Sequence, residues 1–286
     1  MKNILLPTDF SENSWNAINY AIQFFENQKC NFYIVHINDM SDAMTSGVPP
    51  YLDKSEREAI QLKQSKHKIS TLLERVETLS IDRKNHNFYS ILEKNIFVAG
   101  IRKIIDQKQI DFIVMGTKGK SGLKKVILGT NTADVLTKVK CNTLVIPENA
   151  TFTSPKEIAL PTDFSLAHNL QILQPIAEIL ERFNATLRIL HISKNKINLN
   201  NDQTQNRELL EDYFHHHEHH FHYLTESKVE IGIQNFVESR DINIICMVAK
   251  NLNYFQKILL HSKVGSISYH TDIPFFVIHE KKEDFE

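Results

Sequence analysis

Short apolar runs alternate along this chain with stretches in which apolar residues recur every three to four positions. Asn3–Leu6 is apolar and halted by Pro7, the pattern of a buried strand. Beyond Ser11, a residue type suited to capping, Ile18, Ala21, Ile22 and Phe25 fall at helical spacing. Phe32–Ile37 is rich in β-forming residues, and a loop containing Gly47 and Pro49-Pro50 follows it. Ile69, Leu72, Leu73 and Val76 then share one helix face. Phe88–Leu92 predicts a strand, Ile96–Ile105 a helix, Phe112–Met115 a strand, Thr132–Val139 a short helix and Thr143–Ile146 a closing strand. Apolar strands alternating with helices imply an α/β fold, a mostly parallel sheet with helices on both faces. Such sheets take ligands at the carboxyl ends of their strands, where the strand order reverses.

The pattern then repeats. NILLPTDFS at 3–11 returns as EIALPTDFS at 157–165, an offset of 154. IDFIVMGTKG at 110–119 returns as INIICMVAKN at 242–251, an offset of 132, and KCNTLVIP at 140–147 keeps that register with DIPFFVIH at 272–279. The first copy is therefore longer in its middle by the difference, 22 residues. Two tandem domains are expected, 1–149 and 150–286, each with five strands, joined near ENATFTSP at 148–155. Copy two should lack most of the long loop and helix found between residues 39 and 84 of copy one. Its first helix carries Pro175, which should kink it or set a boundary.

Composition narrows the class. A chain of 286 residues is comfortable for two domains, and 42% hydrophobic with 23% charged residues is ordinary globular usage. A formal net charge of -1 leaves no electrostatic footprint for nucleic acid or an anionic membrane. Cys30, Cys141 and Cys246 make no metal spacing, and three is a poor count for a disulfide framework. The opening MKNILLPTDF does not read as a signal peptide, and no apolar run reaches bilayer length. A reduced, cytoplasmic protein is the expectation.

Candidate chemistry gathers in GTKGKSGLKKVILGT at 116–130, which holds four of the eight glycines. A P-loop fails here: Gly119-Lys120-Ser121 supplies the tail, but Val114 stands where the first glycine is needed, and the dinucleotide spacing is absent as well. What is present is Gly116, Gly119, Gly129 and Thr130 directly after a strand. Glycines there let backbone N–H groups approach a phosphate, and Gly129-Thr130-Asn131 would offer the unpaired donors of a helix N-terminus. A ligand-free tight turn is the plainer reading of the glycines, a helix cap that of Asp9, and a solvated face that of Lys118, Lys120, Lys124 and Lys125.

These motifs together resemble the universal stress protein family. The likeness rests on Ile4-Leu5-Leu6-Pro7-Thr8-Asp9-Phe10-Ser11, Val35-His36-Ile37, Ile110–Met115 with Gly116-Thr117-Lys118-Gly119, Gly129-Thr130, and Cys141–Pro147. It covers both copies. The resemblance implies two tandem Rossmann-like domains of the adenine nucleotide α-hydrolase type. It implies ATP, or alternatively ADP or AMP, with Mg²⁺ carried on the phosphates. Asp9 would lie by ribose and phosphates, Ile37 would hold adenine through its backbone, and Gly116, Gly119, Gly129 and Thr130 would grip the phosphates, with Pro7, Thr8, Met115 and Asn131 completing the cofactor-binding set. Copy two keeps Asp163 and Ser262, but Val248, Asn251 and His261 replace the three glycines, so it reads as a degenerate partner. Family dimers pair through their last strands, which implies an internal pseudo-dimer of Thr143–Ile146 with Phe275–Ile278; a homodimer and an unidentified protein partner are further expectations.

Two features remain. Six histidines lie between residues 215 and 222, with His215/His219 and His216/His220 at the i, i+4 spacing of a helix face. Against metal ligation stands a simpler pattern: a helix end followed by the alternation of a strand from His220 to Tyr223. His36 and His191 fall at equivalent strand ends and read as structural or site-lining. No nucleophile–base pair is legible, so the function expected is a nucleotide-responsive stress or signalling adaptor with at most slow ATP hydrolysis. A nucleotide-free interaction scaffold and a genuine ATPase or phosphotransferase are the alternatives.

Overall fold

The computed structural model describes residues 1–38, 52–79, 84–117, 128–165, 170–194, 198–249 and 272–280. Its first half runs β1 (Lys2–Pro7), α1 (Glu12–Phe24), β2 (Cys30–Asn38), α2 (Lys54–Glu77), β3 (His86–Lys94), α3 (Phe97–Lys108), β4 (Phe112–Gly116), α4 (Thr130–Lys138) and β5 (Asn142–Ile146). The second runs β6 (Glu157–Pro161), α5 (Gln174–Phe183), β7 (Thr186–Ser193), α6 (Asn201–Tyr213), β8 (His219–Thr225), α7 (Val229–Ser239), β9 (Ile244–Val248) and β10 (Phe275–Ile278).

The two five-stranded sheets expected are one ten-stranded sheet, ordered β3-β2-β1-β4-β5-β10-β9-β6-β7-β8. Every neighbouring pair within a half is parallel. The central pair is antiparallel, with Val145 opposite Phe275, Leu144 opposite Phe276 and Thr143 opposite Val277. The last strands thus meet as the family resemblance implied. Joining them satisfies ladder groups that either half alone would leave as an edge.

Burial on both faces explains the unbroken apolar runs. In β1, Ile4 and Leu6 enter one core and Leu5 the opposite one; in β4, Phe112 and Val114 oppose Ile113 and Met115. The first core contains α1, α2, α5 and α6 side chains and crosses the seam between the halves. On the other face α3 with Val135 of α4 covers the first half, and α7 covers the second. Leu136 of α4 belongs to that second core, so α4 straddles the seam.

Ser11 caps α1, its hydroxyl accepting from Ser14 N–H at 3.2 Å. Pro175 does set a boundary: a 3₁₀ turn at Leu170–Leu173 precedes α5, and the proline occupies its first turn, where a missing N–H is harmless. The middle of copy two needs correcting. It keeps a helix between its second and third strands, shortened from 24 residues in α2 to 13 in α6. A parallel crossover requires a connection of about a dozen residues, so that helix could shrink and not vanish.

Across the seam on the first face, Lys2 pairs with Glu178 at 2.7 Å. Beside it Arg182 of α5 reaches into α1, its guanidinium 4.3 Å from the Phe24 ring centre and 4.4 Å from that of Phe183, and donates to Gln28 Oε1 at 2.7 Å. Burial depresses its pKa to about 10, which still leaves it charged at neutral pH. Asn16 donates to the carbonyl oxygens of Pro147 and Ala150, tying α1 to the chain that leaves β5.

Candidate functional site

In the first half the strand order runs outward from β1 in both directions: β2 and β3 on one side, β4 and β5 on the other. The order reverses between β1 and β4, the place where such sheets open a crevice beyond their carboxyl ends. Pro7 ends β1 there with Thr8 and Asp9 following it, Met115 and Gly116 end β4, and Ile37 lies one position from the end of β2. Thr130 and Asn131 open α4, with Gly129 as its N-cap and no side chain capping it. The fold therefore gathers these residues at one end of neighbouring strands. Gly119 and Lys118, Lys120, Lys124 and Lys125 lie outside the described residues.

The turn after β1 is built by its own side chains. Thr8 Oγ1 accepts the Phe10 N–H at 3.0 Å and shares a hydrogen bond with Ser14 Oγ at 2.9 Å. Asp9 Oδ1 accepts the Ser11 N–H at 3.0 Å and the Ser11 hydroxyl as well. These bonds hold Phe10 at φ 65°, a left-handed conformation that costs a bulky residue about 1–3 kcal/mol. Its ring rests 4.4 Å from that of His36, whose Nδ1 lies 2.8 Å from the Thr8 carbonyl. A carbonyl only accepts, so Nδ1 carries the proton.

The second half repeats this turn. Phe164 stands at φ 60°, Thr162 Oγ1 accepts its N–H at 2.9 Å, and Asp163 Oδ1 accepts from Ser165 N–H at 2.9 Å. His191 Nδ1 meets the Thr162 carbonyl at 3.0 Å, and its ring stacks on Phe164 at 5.0 Å. Asp9 and Thr8 thus have structural work independent of any ligand. Ser11, and not Asp9, caps α1; the printed bonds of Asp9 brace the turn that leads to that cap. In the second half α6 also clamps the turn, Gln203 donating to the Asp163 carbonyl at 2.9 Å and Asn206 to the Phe164 carbonyl at 2.7 Å.

The glycine end differs between halves. A Cβ on Gly116 would lie 2.8 Å from Asn13 Oδ1, so a larger residue there would require the Asn13 side chain of α1 to move. Its carbonyl accepts the buried Thr132 hydroxyl at 2.8 Å, which fastens the first turn of α4 to the end of β4. Thr117 then closes the loop mouth: its N–H reaches the Ile146 carbonyl at 3.1 Å, and its carbonyl accepts from Gly129 N–H. Sequence reasoning missed Asn13 and Thr132; a helix-facing polar residue opposite a strand-end glycine is the signal that could have found them. At the equivalent place the second half has Val248, half-buried, and counting on from PTDFS without a gap brings Ala167 to the position of Asn13. Ala167, Asn251, His261 and Ser262 lie outside the described residues.

Ile37 has a packing role. Its Cδ1 would sit 2.9 Å from a Cβ on Gly100 of α3, and Ile192 Cδ1 would sit 2.9 Å from one on Gly232 of α7. The histidine tract is not a helix face, because α6 ends at Tyr213 and β8 begins at His219, leaving His215, His216 and His217 in the turn between them. All three cysteines are buried, and none is joined in a disulfide. Among the described residues no helix is long and apolar enough to cross a membrane.

A doubly wound α/β protein with its crevice at the β1/β4 switch point is the class this geometry defines. The model of the universal stress protein family matches residues 1–147, and the chain belongs to that family. Universal stress protein MJ0577 of Methanocaldococcus jannaschii is 28% identical over 156 residues, 51% of this chain and 94% of the relative. Universal stress protein MJ0531 of the same organism is 26% identical over 145 residues, 51% of this chain and 81% of its own length. A universal stress protein structure from Archaeoglobus fulgidus superposes with a TM-score of 0.69, covering 96% of this chain and 97% of that one at 18% identity, a likeness of fold alone.

Proposed function

We propose that the first half binds an adenine nucleotide, ATP by preference with Mg²⁺ on its phosphates, in the crevice beyond β1, β2 and β4. The observation that carries this reading is the convergence, at one switch point, of a strand-end glycine, an aspartate turn and a helix N-terminus without a side-chain cap. Backbone groups at Ile37 receive the base, Pro7, Thr8 and Asp9 face ribose and phosphates, and Met115, Gly116, Gly119, Gly129, Thr130 and Asn131 hold the phosphate chain. Residues 1–149 and 150–286 are the two units, the second retained for packing. The protein acts in the cytoplasm as a stress-response or signalling adaptor, presenting its nucleotide state to a partner.

Titration of the untagged protein with Mg·ATP in a calorimeter tests this reading. One site per chain is expected, and the Gly119→Ala/Gly129→Ala pair should weaken binding at least tenfold at unchanged melting temperature. Gly129 suits this test because its φ of -67° admits an alanine. No heat, in protein shown free of co-purified nucleotide, would leave the nucleotide-free scaffold as the correct reading. Turnover at saturating Mg·ATP above background would favour an ATPase.

A further inference from the structure

The helix that opens at the proposed phosphate end does not pack on its own half alone. Within α4, Thr132 and Leu136 stand one turn apart on the same side. Thr132 is buried and donates its hydroxyl to the Gly116 carbonyl at 2.8 Å, so the first turn is fastened to the strand end where the crevice opens. One turn on, Leu136 is buried in the core of the second half, which it shares with Ala159, Leu190, Phe236, Val237 and Phe275. Leu128, just before the helix, joins that core too, whereas Val135 turns to the core of the first half.

The seam strand is tied to this helix as well. Thr117 donates its N–H to the Ile146 carbonyl at the end of β5, and its own carbonyl accepts from Gly129, the N-cap of α4. Along β5, residues Thr143 to Val145 pair with β10, and Val145 lies in the second half's core. Helix α4 has nine residues, a length of about 13 Å, and packs on both sides of the seam. Close-packed interiors hold little free volume, so a change in the order of so short a helix is felt by both cores.

We propose that α4 couples the two halves: nucleotide bound at its N-terminus orders the helix, and Leu128 and Leu136 carry that order into the core beneath α7 of the second half. This rests on the nucleotide reading above. A nine-residue helix is marginal by itself, and no side chain caps its first turn, so that end opens at low free energy. An anion on the first-turn N–H groups favours the closed helix. The same equilibrium then sets how firmly Phe236 and Val237 hold α7 against the sheet. The second half, degenerate at its own glycine positions, serves as the readout, and the α7 face is where a partner meets the nucleotide state. Coupling of this kind is reciprocal, so loosening Leu136 from the second core weakens nucleotide binding in the first half.

Hydrogen exchange of the full chain, read by mass spectrometry with and without saturating Mg·ATP, tests this coupling. Exchange in segments 130–138 and 229–239 should each slow by about threefold or more on binding. In Leu136→Ala the first segment should still respond at saturation, while the response of 229–239 falls below half that of the parent. Its affinity for Mg·ATP should drop by about threefold or more. Leu136→Val, a smaller truncation, keeps the test readable should Leu136→Ala fail to fold. Ile176→Val shortens a buried side chain in the opposite core and should leave both responses as in the parent. A parent that binds Mg·ATP without any response in 229–239, or Leu136 variants that respond as the parent does, would overturn the coupling and leave the nucleotide reading standing. A parent that binds no Mg·ATP would remove both.

Discussion

The turn after β1 and the turn after β6 are nearly one structure, while the ends of β4 and β9 are not. Both turns hold a phenylalanine in the left-handed region, fasten it with threonine and aspartate side chains, and stack it on a histidine anchored to a threonine carbonyl. The motif PTDFS therefore recurs because the turn needs it. At the neighbouring strand ends Gly116 faces Asn13, and Val248 takes the glycine's place in the second half. The difference at the glycine, more than the shared aspartate, separates a candidate nucleotide half from a packing half.

The largest effect expected from breaking this likeness is at the phenylalanines. Phe164 is 1% exposed, so Phe164→Ala should destabilise the protein by about 3–5 kcal/mol in urea unfolding. Phe10 is only half-buried, and the same change there should give about half that loss or less. Equal losses would show that burial does not distinguish the two turns.

Next in size is a pH effect at the two strand ends beside the seam. Where the first half has Pro147 the second has His279, whose pKa burial and then the Lys140 charge lower to about 4. The folded chain keeps this imidazole neutral while the unfolded chain protonates it near 6.5. Stability should therefore fall as pH drops from about 6.5 to 4, by up to about 3 kcal/mol, and level off below. His279→Asn should flatten that part of the profile; an unchanged profile would remove the imidazole from the account.

A smaller change tests the glycine. Gly116→Val, importing the residue of the second half, should cost about 1–3 kcal/mol by overpacking against Asn13. Adding Asn13→Ala should recover at least half of it, a coupling readable in a double-mutant cycle. Additive losses would show that the two positions do not form a matched pair.

The smallest effect sharpens the likeness. Gly100→Ala and Gly232→Ala would each press a Cβ to 2.9 Å from the flexible end of an isoleucine, while removing a helix glycine worth about 0.5–1 kcal/mol. The two should nearly cancel in both halves, leaving changes within about 1 kcal/mol and alike. A loss in one half alone would expose a packing asymmetry there.

Local pattern by itself determined the alternation of strands and helices, the duplication and its offsets, the Ser11 cap and the boundary at Pro175. Each depends on neighbours along the chain: periodicity, a side-chain oxygen beside free N–H groups, a ring that lacks one. The glycine loop was legible from its place after a strand and before a helix, whereas Asp9 and Ile37 entered the candidate set through the family resemblance. The shortened helix in copy two was misread because an offset counts residues and does not say whether loop or helix lost them.

The resemblance implied which strands meet at the seam, but only the tertiary structure decided that they run antiparallel with Val145 opposite Phe275. The tertiary structure alone set Asn13 against Gly116, Arg182 among phenylalanines of both halves, and Leu136 in the core of the second half. These are contacts between elements, and their chemistry follows from burial and distance. A linear pattern encodes which face a residue takes, but not which residue from another element will meet it there.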